Sequence, residues 1–379
     1  MRLIGSLFFL AAVSNASNAQ FQSLSLSGGS GFACGLTSAG RVYCWGDNSD
    51  GQLGIGRLGG HRASPVPVAL SGPVQAVTIG SDYACALQDG KPLCWGTNAR
   101  GELGDSSRVD ARRTPRPVKG DLRFRSLSAG DGFTCGISTS GDAYCWGVTV
   151  NGQLGAGIKS DSTQGAHRVS GDHRFRMLRA GPESTVCGIT QDSVAYCWGN
   201  LASDTAGPIS DVPVRVAGRL SFREVSVGSA YVCGLTTDSL AYCWGYEGEG
   251  GLGDGHPLPR TTSRRYASTP SPVVGGLRFT TLSAGFRTTC ALDTKGRAYC
   301  WGWNEDGQVG DGTTTNRTAP TPVSGEYVFR EVHAGGGTSC GITVGGQTMC
   351  WGRGAKGELG NGTTQQRSLQ PVRVIDSVP

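Results

Sequence analysis

The segment CALDTKGRAYCWG (residues 290–302) decides the fold, because its pattern of two cysteines, the second followed by Trp-Gly, recurs along the whole chain. The tripeptide Cys-Trp-Gly occurs seven times, and a second cysteine precedes each copy, which accounts for all 14 cysteines. Successive units are 46 to 57 residues apart. Self-similarity at such a period indicates a repeat architecture in which each unit is one small supersecondary element.

Each unit contains four short stretches with the pattern of β-strands. In the unit that includes the quoted segment, the stretches are residues 271–274, 277–282, 289–292 and 298–301. Helical periodicity is absent after residue 19. Four-stranded units repeated radially form β-propellers. The sequence therefore predicts an all-β protein, a single seven-bladed β-propeller of four-stranded blades over residues 20–379.

The two ends of the chain predict how the ring closes. The first unit begins at its second strand, residues 21–26, and the chain ends on a first strand, residues 371–374. Pairing these two strands in one blade would remove two exposed sheet edges. We therefore predict that the C-terminal strand pairs into the N-terminal blade.

The spacing of the cysteines predicts disulfides. Cysteines that face each other ten positions apart leave a three-residue loop such as Ser38-Ala39-Gly40, whereas the single nine-residue spacing leaves Asp89-Gly90, a preferred two-residue turn. The turn type changes while the cysteines stay opposed, which favours a disulfide in every unit. The predicted pairs are Cys34–Cys44, Cys85–Cys94, Cys135–Cys145, Cys187–Cys197, Cys233–Cys243, Cys290–Cys300 and Cys340–Cys350.

Metal ligation is the alternative role for the cysteines. The sequence has no Cys-x-x-Cys pair, and its five histidines lack the spacing of zinc ligands. We therefore expect neither a metal nor another cofactor. Catalytic motifs such as a Gly-x-Ser-x-Gly elbow are also missing. The chain also contains scattered glutamates, and their position, mostly beside the repeat glycines, favours a structural role for them. We therefore predict that the protein is not an enzyme. These glutamates are Glu102, Glu247, Glu249, Glu305 and Glu358.

The N-terminus predicts export. Arg2 precedes an apolar run over residues 3–13, and Ser17-Asn18-Ala19 has the small-x-small pattern of signal-peptidase cleavage. Removal of residues 1–19 leaves a formal charge of +4, which does not indicate a nucleic-acid partner. We expect a monomer without a membrane span. It would be secreted to the extracellular space, or periplasmic in a Gram-negative bacterium, where disulfides persist.

Candidate binding residues lie in two classes of loop, which follow the second and fourth strands and emerge on the same face. Aromatic and arginine side chains there are typical interface anchors. Four aromatics share the position two before a cysteine, which packing explains equally well: Phe32, Tyr83, Phe133 and Tyr231. The other candidates of the first class are Asp131, Phe286 and Arg287. The second class holds two arginine clusters, Arg108, Arg112, Arg113 and Arg116, and Arg260, Arg264 and Arg265.

Three recurring motifs carry a family resemblance. Gly-x4-Cys-[Gly/Ala]-[Leu/Ile], [Tyr/Leu]-Cys-Trp-Gly and Gly-[Gln/Glu]-[Leu/Val]-Gly resemble the repeat of the regulator of chromosome condensation family, and the fourth unit lacks the last motif. The paired cysteines resemble the secreted members, such as the crinkly-type plant receptor ectodomains. The resemblance implies a protein-binding platform, and the founding nuclear member is a nucleotide-exchange factor.

The leading functional interpretation is a non-enzymatic exported binding module that presents variable loops on one propeller face to a protein partner. A glycan-binding or glycan-active propeller is one alternative. Guanine-nucleotide exchange, by family analogy, is the other.

Overall fold

The computed structural model describes residues 20–29, 31–107, 109–158, 162–201, 209–258 and 266–375. The predicted signal peptide (1–19) and the candidates Arg108, Arg260, Arg264 and Arg265 lie outside these residues. Seven four-stranded antiparallel sheets form the fold, together with one short 3-10 helix at Gly248–Gly250. The predicted seven-bladed, all-β propeller is confirmed. Within the described ranges, no helix is long and apolar enough to cross a membrane.

The strands of each blade follow one another in the chain, from the innermost to the outermost. The innermost strands are β1 Phe21–Leu26, β5 Ala76–Ile79, β9 Phe124–Ala129, β13 Phe175–Ala180, β17 Phe222–Val227, β21 Phe279–Ala284 and β25 Phe329–Ala334. The second strands are β2 Phe32–Thr37, β6 Tyr83–Gln88, β10 Phe133–Ser138, β14 Thr185–Thr190, β18 Tyr231–Thr236, β22 Thr288–Asp293 and β26 Thr338–Thr343.

The two outer strands of each blade complete the sheet. The third strands, which carry Cys-Trp-Gly, are β3 Val42–Asp47, β7 Lys91–Thr97, β11 Ala143–Val148, β15 Ala195–Asn200, β19 Ala241–Tyr246, β23 Ala298–Gly302 and β27 Thr348–Arg353. The outermost strands are β4 His61–Pro67, β8 Ala111–Pro117, β12 Ser162–Arg168, β16 Ile209–Arg215, β20 Tyr266–Pro272, β24 Arg317–Pro322 and β28 Arg367–Arg373.

The predicted closure of the ring is wrong. The last strand, β28, pairs with β27 of its own blade, where Cys350 lies opposite Val372, and not with the N-terminal blade. The period of a repeat gives the length of a unit but not its starting strand. The stretch that the sequence analysis placed first in each unit is the outermost strand of the preceding blade. After Cys-Trp-Gly the chain reverses through a loop and returns beside the strand that it has just left.

The ring closes through hydrogen bonds between separate sheets instead of a shared sheet. Arg330 of the last blade donates hydrogen bonds to the carbonyls of Phe21 (2.6 Å) and Gln22 (2.9 Å) in the first blade. Arg176 and Arg223 make the same kind of bond to their following blades. Closure therefore uses a contact that already joins blades inside the ring.

The disulfides lie where the register argument places them. In every blade the two cysteines are directly opposite each other, with Cα atoms 4.1 Å apart, and all seven are bonded. In the hairpin with the nine-residue cysteine spacing, the two turn residues are Asp89 (φ +49°) and Gly90 (φ +77°). In a hairpin with the ten-residue spacing, Gly40 (φ +73°) ends the three-residue loop. Two left-handed residues in succession match the preferred two-residue hairpin turn. Both turn types and the seven pairings are confirmed.

Tryptophans of the Cys-Trp-Gly motif lock each blade to the one before it. In six blades the buried indole Nε1 donates to a carbonyl in the Gly-[Gln/Glu]-Leu-Gly turn, or its equivalent, of the preceding blade, at 2.8–3.0 Å. The pairs are Trp45–Glu358, Trp95–Gln52, Trp146–Glu102, Trp198–Gln153, Trp301–Gly251 and Trp351–Gln308. Glycines allow the approach: a Cβ at Gly155 (φ +64°) would lie 2.6 Å from the Nε1 of Trp198.

Candidate binding face

One end of every blade carries both predicted loop classes. Since the strands alternate in direction, the loops after the first and third strands emerge together, and the cysteine hairpins emerge at the opposite end. We call the first end the loop face and the second the hairpin face. The arrangement agrees with the sequence prediction that the two variable loop classes share one side.

Four of the predicted binding residues are buried. Phe32, Tyr83, Phe133 and Tyr231 are 0–3% exposed, and they pack between blades. The hydroxyl of Tyr231 donates to the carbonyl of Thr288 in the next blade (3.0 Å), and burial raises its pKa above the usual value. These side chains offer no surface to a partner, so the structure favours packing as the reason for their shared position.

The described members of the first arginine cluster lie on a strand, although a loop was predicted for them. Arg112, Arg113 and Arg116 belong to β8, since the outermost strand of the blade begins earlier than its hydrophobic residues suggest. The Nε of Arg112 lies 3.0 Å from Asp105. Although burial acts in the opposite direction, hydrogen bonds from Ser107 and Arg112 lower the pKa of Asp105. Arg112 therefore stabilises the loop that precedes it, whereas Arg113 and Arg116 are exposed.

An aromatic and arginine group lies on the loop face of the fifth and sixth blades. Phe286 and Arg287 form the loop between β21 and β22, Tyr246 ends β19, and Trp303 follows β23. The guanidinium of Arg287 lies 5.1 Å from the ring centre of Phe286 and 5.9 Å from that of Tyr246. The amide of Trp303 donates to the Arg287 carbonyl (2.9 Å). We call Tyr246, Phe286, Arg287 and Trp303 the aromatic–arginine cluster.

The cluster is partly exposed, and its arginine is held in place. All four side chains are of intermediate burial. Glu249 fixes the Arg287 guanidinium through an ion pair of 2.5 Å. Asp131, the remaining candidate of the first loop class, lies in the third blade, 3.6 Å from Arg100. It is therefore not part of this cluster.

Sequence reasoning found Phe286 and Arg287 but missed Tyr246 and Trp303. A signal was present, because the residue that follows Cys-Trp-Gly differs in every unit and is aromatic only in the fifth and sixth. These residues are Asp47, Thr97, Val148, Asn200, Tyr246, Trp303 and Arg353.

The predicted structural role of the glutamates agrees with the contacts of Glu102 and Glu358. Both are buried, and each accepts the backbone amide two residues earlier at 2.7 Å, from Arg100 and Lys356 respectively. Burial raises the pKa of both carboxyls. Both glutamates hold the turn whose carbonyl receives the tryptophan of the next blade.

One group of residues offers ligand atoms for a metal. Glu247, Asp254 and His256 each have one such atom within 4.8 Å of the others. Asp254 already accepts a hydrogen bond from the His256 amide (3.1 Å). Its other carboxylate oxygen lies within hydrogen-bond distance of the His256 ring nitrogen Nδ1 (2.9 Å). Asp254 and His256 are thus engaged with each other, and we assign no metal to the group.

A cavity of about 280 Å³ opens along the propeller axis. The innermost strands line it, and residues at their loop-face ends, including Gly28, Gly80 and Gly130, surround its mouth. Arg179 and His333 are the charged or titratable side chains among the described residues that line it. Glu224 attracts the Arg179 guanidinium.

A family model described as an RCC1-like domain matches residues 10–328. The chain belongs to the RCC1-like family. The ultraviolet-B receptor UVR8 of Arabidopsis thaliana is 30% identical over 314 residues, which cover 78% of this chain and 68% of the receptor. Members of this family are mostly binding or regulatory proteins.

Two solved structures share the fold at lower identity. Prp20p of Saccharomyces cerevisiae, which binds Gsp1p and histones, has a TM-score of 0.78 at 18% identity. The match covers 90% of this chain and 87% of the Prp20p chain. Human WBSCR16 has a TM-score of 0.76 at 18% identity, and the match covers 88% of this chain and 94% of the WBSCR16 chain.

Proposed function

We propose that this RCC1-like propeller is an exported, non-enzymatic binding module that engages a protein through its aromatic–arginine cluster. The cluster is the observation that carries the proposal: Tyr246, Phe286, Arg287 and Trp303 lie together on the loop face of two adjacent blades. Trp, Tyr and Arg dominate the binding energy of protein interfaces.

The order of the cluster supports this role. Binding immobilises side chains at a cost of about 0.5–1.5 kcal/mol each. Glu249 already holds Arg287 at 2.5 Å, and the ring of Phe286 lies beside the same guanidinium. Part of the ordering cost is therefore met before the partner arrives. A disulfide in each blade keeps the strands beneath the loops in register.

Export is supported by the seven disulfides, which persist in oxidising compartments, and by the N-terminal signal pattern. Mass spectrometry of the intact protein recovered outside the cytoplasm tests this part. We expect a chain that begins at Gln20 and carries no free thiol. A chain that retains residues 1–19 and has reduced cysteines would contradict export.

The binding test compares two arginines of the same blade. Arg287 on the loop face pairs with Glu249 and lies over Phe286, while Arg297 on the hairpin face pairs with Asp293 (2.8 Å) and lies 5.8 Å from a tyrosine ring. Wild-type protein, R287A and R297A serve as baits for native secreted and surface proteins. We expect R287A to capture at least tenfold less partner than the wild type, and R297A to capture as much as the wild type.

Two further arms make the result decisive. Trp303→Ala should reduce capture as strongly as R287A, since it removes a second side chain of the cluster. Enzymatic deglycosylation of the secreted fraction should leave capture unchanged, because the proposed ligand is protein. Equal capture by R287A and wild type would refute the assignment of the face, and loss of capture after deglycosylation would favour the glycan alternative.

A further inference from the structure

Seven equivalent positions on the innermost strands surround the axial cavity. Five of them carry a hydroxyl, and each hydroxyl oxygen accepts the backbone amide of the next blade at 2.9–3.2 Å. The pairs are Ser25–Ile79, Thr78–Ala129, Ser128–Ala180, Ser226–Ala284 and Ser283–Ala334. We call these five side chains the hydroxyl ring.

Each side chain of the hydroxyl ring has a hydroxyl hydrogen that it does not donate to another described protein group. A hydroxyl that accepts an amide hydrogen still has its own proton to donate. Within the described residues, none of the five donates that proton to a protein acceptor, and all five line the cavity. Five O–H donors therefore surround one space of about 280 Å³.

Arg179 and His333 occupy the two remaining positions. An arginine cannot accept a hydrogen bond, so Arg179 cannot make the contact to the next blade that a serine makes. One of its five N–H donors reaches the Leu178 carbonyl (3.1 Å), and its side chain is solvent-accessible within the cavity. The repeat gives up an inter-blade hydrogen bond here and places a permanent positive charge on the axis.

The nearby carboxylates do not fill this space. Glu224 and Glu331 lie two residues earlier than the ring positions, about 6–7 Å farther along their strands, and outside the cavity lining. Glu331 accepts the Leu24 amide (2.8 Å) and contacts the ring of His333 (2.5 Å). Glu224 accepts from the hydroxyl of Thr281 (3.1 Å). Both carboxylates have hydrogen-bond partners of their own, and Glu224 also attracts Arg179 from this distance.

We propose that the mouth of the axial cavity binds a carboxylate group, with the Arg179 guanidinium as its charged partner and the hydroxyl ring as its hydrogen-bond donors. A carboxylate accepts two parallel hydrogen bonds from a guanidinium, and its remaining lone pairs match hydroxyl donors. The group belongs either to a small organic acid or to an acidic side chain of a protein that covers the loop face. This site is independent of the aromatic–arginine cluster.

Arg179→Ser tests the site without a foreign side chain, because serine is the residue that other blades carry there. Calorimetric melting is measured in acetate and in chloride at equal ionic strength. We expect acetate to raise the melting temperature of the wild type with the logarithm of its concentration, by roughly 3 °C at about 100 times its Kd. The shift should vanish in Arg179→Ser, which should itself melt no lower than the wild type in chloride.

Arg174→Ser is the matched control, since Arg174 belongs to the same blade but pairs with Asp142 (2.7 Å) outside the cavity. It should keep the acetate shift. A capped Gly-Glu-Gly peptide is the second probe: stronger binding of the peptide than of acetate assigns the carboxylate to a protein, and the reverse order assigns it to a small acid. No acetate shift in the wild type, or an equal shift in Arg179→Ser, would overturn the proposal.

Discussion

Replacing Trp198 by Phe should cost distinctly more stability than the same change at Trp244 in the next blade. The indole Nε1 of Trp198 donates to the Gln153 carbonyl (3.0 Å), and both groups are buried. Val186 occupies the position from which a hydroxyl reaches this carbonyl in other blades, for example Ser339 at 2.9 Å. Phenylalanine therefore leaves the Gln153 carbonyl without its tryptophan donor and without a hydroxyl substitute.

Trp244 provides the matched control. The fourth unit lacks the Gly-x-Leu-Gly motif, and within the described chain no carbonyl accepts from the Trp244 indole. Its side chain, 8% exposed, lines a cavity of about 240 Å³ between the fourth and fifth blades. Both substitutions remove the same ring atoms, so the difference between them reports the hydrogen bond together with the closer packing of Trp198. Leaving a buried acceptor unpaired costs about 1–3 kcal/mol.

Guanidinium denaturation and calorimetry measure that difference. With an unfolding entropy of about 2.1 cal/mol/K per residue, 1–3 kcal/mol corresponds to roughly 1–4 °C between the two variants. Trp351→Phe should fall between them, since Ser339 still donates to the Gln308 carbonyl at 2.9 Å. Equal losses at Trp198 and Trp244 would refute the account of how the blades are joined.

Three further perturbations follow from local geometry. Replacing Cys85 and Cys94 together by Ala should lower the free energy of unfolding by about 2–3 kcal/mol, the chain-entropy value for so short a loop, as measured by guanidinium denaturation. Gly90→Ala, which forces a side chain into a φ of +77°, should cost about 1–2 kcal/mol in the same assay. Because burial raises the pKa of Glu102, the folded state holds that proton more tightly than the unfolded chain. The unfolding free energy should therefore fall as pH rises from the usual glutamate range through the raised pKa, and Glu102→Gln should remove this fall; an unchanged pH profile would contradict it.

The fold was predictable because local chemistry repeats seven times. The change from Ser38-Ala39-Gly40 to Asp89-Gly90 kept the cysteines opposed, so one turn established the register of every blade. The phase of the repeat was not predictable in the same way. A period is the same wherever a unit is taken to begin, and the strand pairings of the blades show which strand is outermost.

The candidate site was predictable only in part, because it joins residues from different units. Phe286 and Arg287 were visible as a distinct loop, but the contact of Arg287 with Tyr246 depends on the adjacency of two blades. Trp303 joins them within the sixth blade, through a backbone hydrogen bond to Arg287. Conversely, the sequence position that Phe32 and Tyr83 share is compatible with either packing or binding. Their burial in the structure distinguishes between these two roles and favours packing. The role of Arg179 emerges from the ring, since a single inner strand does not show that five other blades carry hydroxyls.

Hydrogen–deuterium exchange on the complex with the captured partner tests binding through the loop face, because it reports which face of the propeller is covered. We expect slower exchange in residues 246–254, 284–289 and 302–306, on the loop face of the fifth and sixth blades. The cysteine hairpins at residues 236–240 and 293–297 should exchange as they do in the free protein. Protection of those hairpins, with the loop-face segments unchanged, would contradict it.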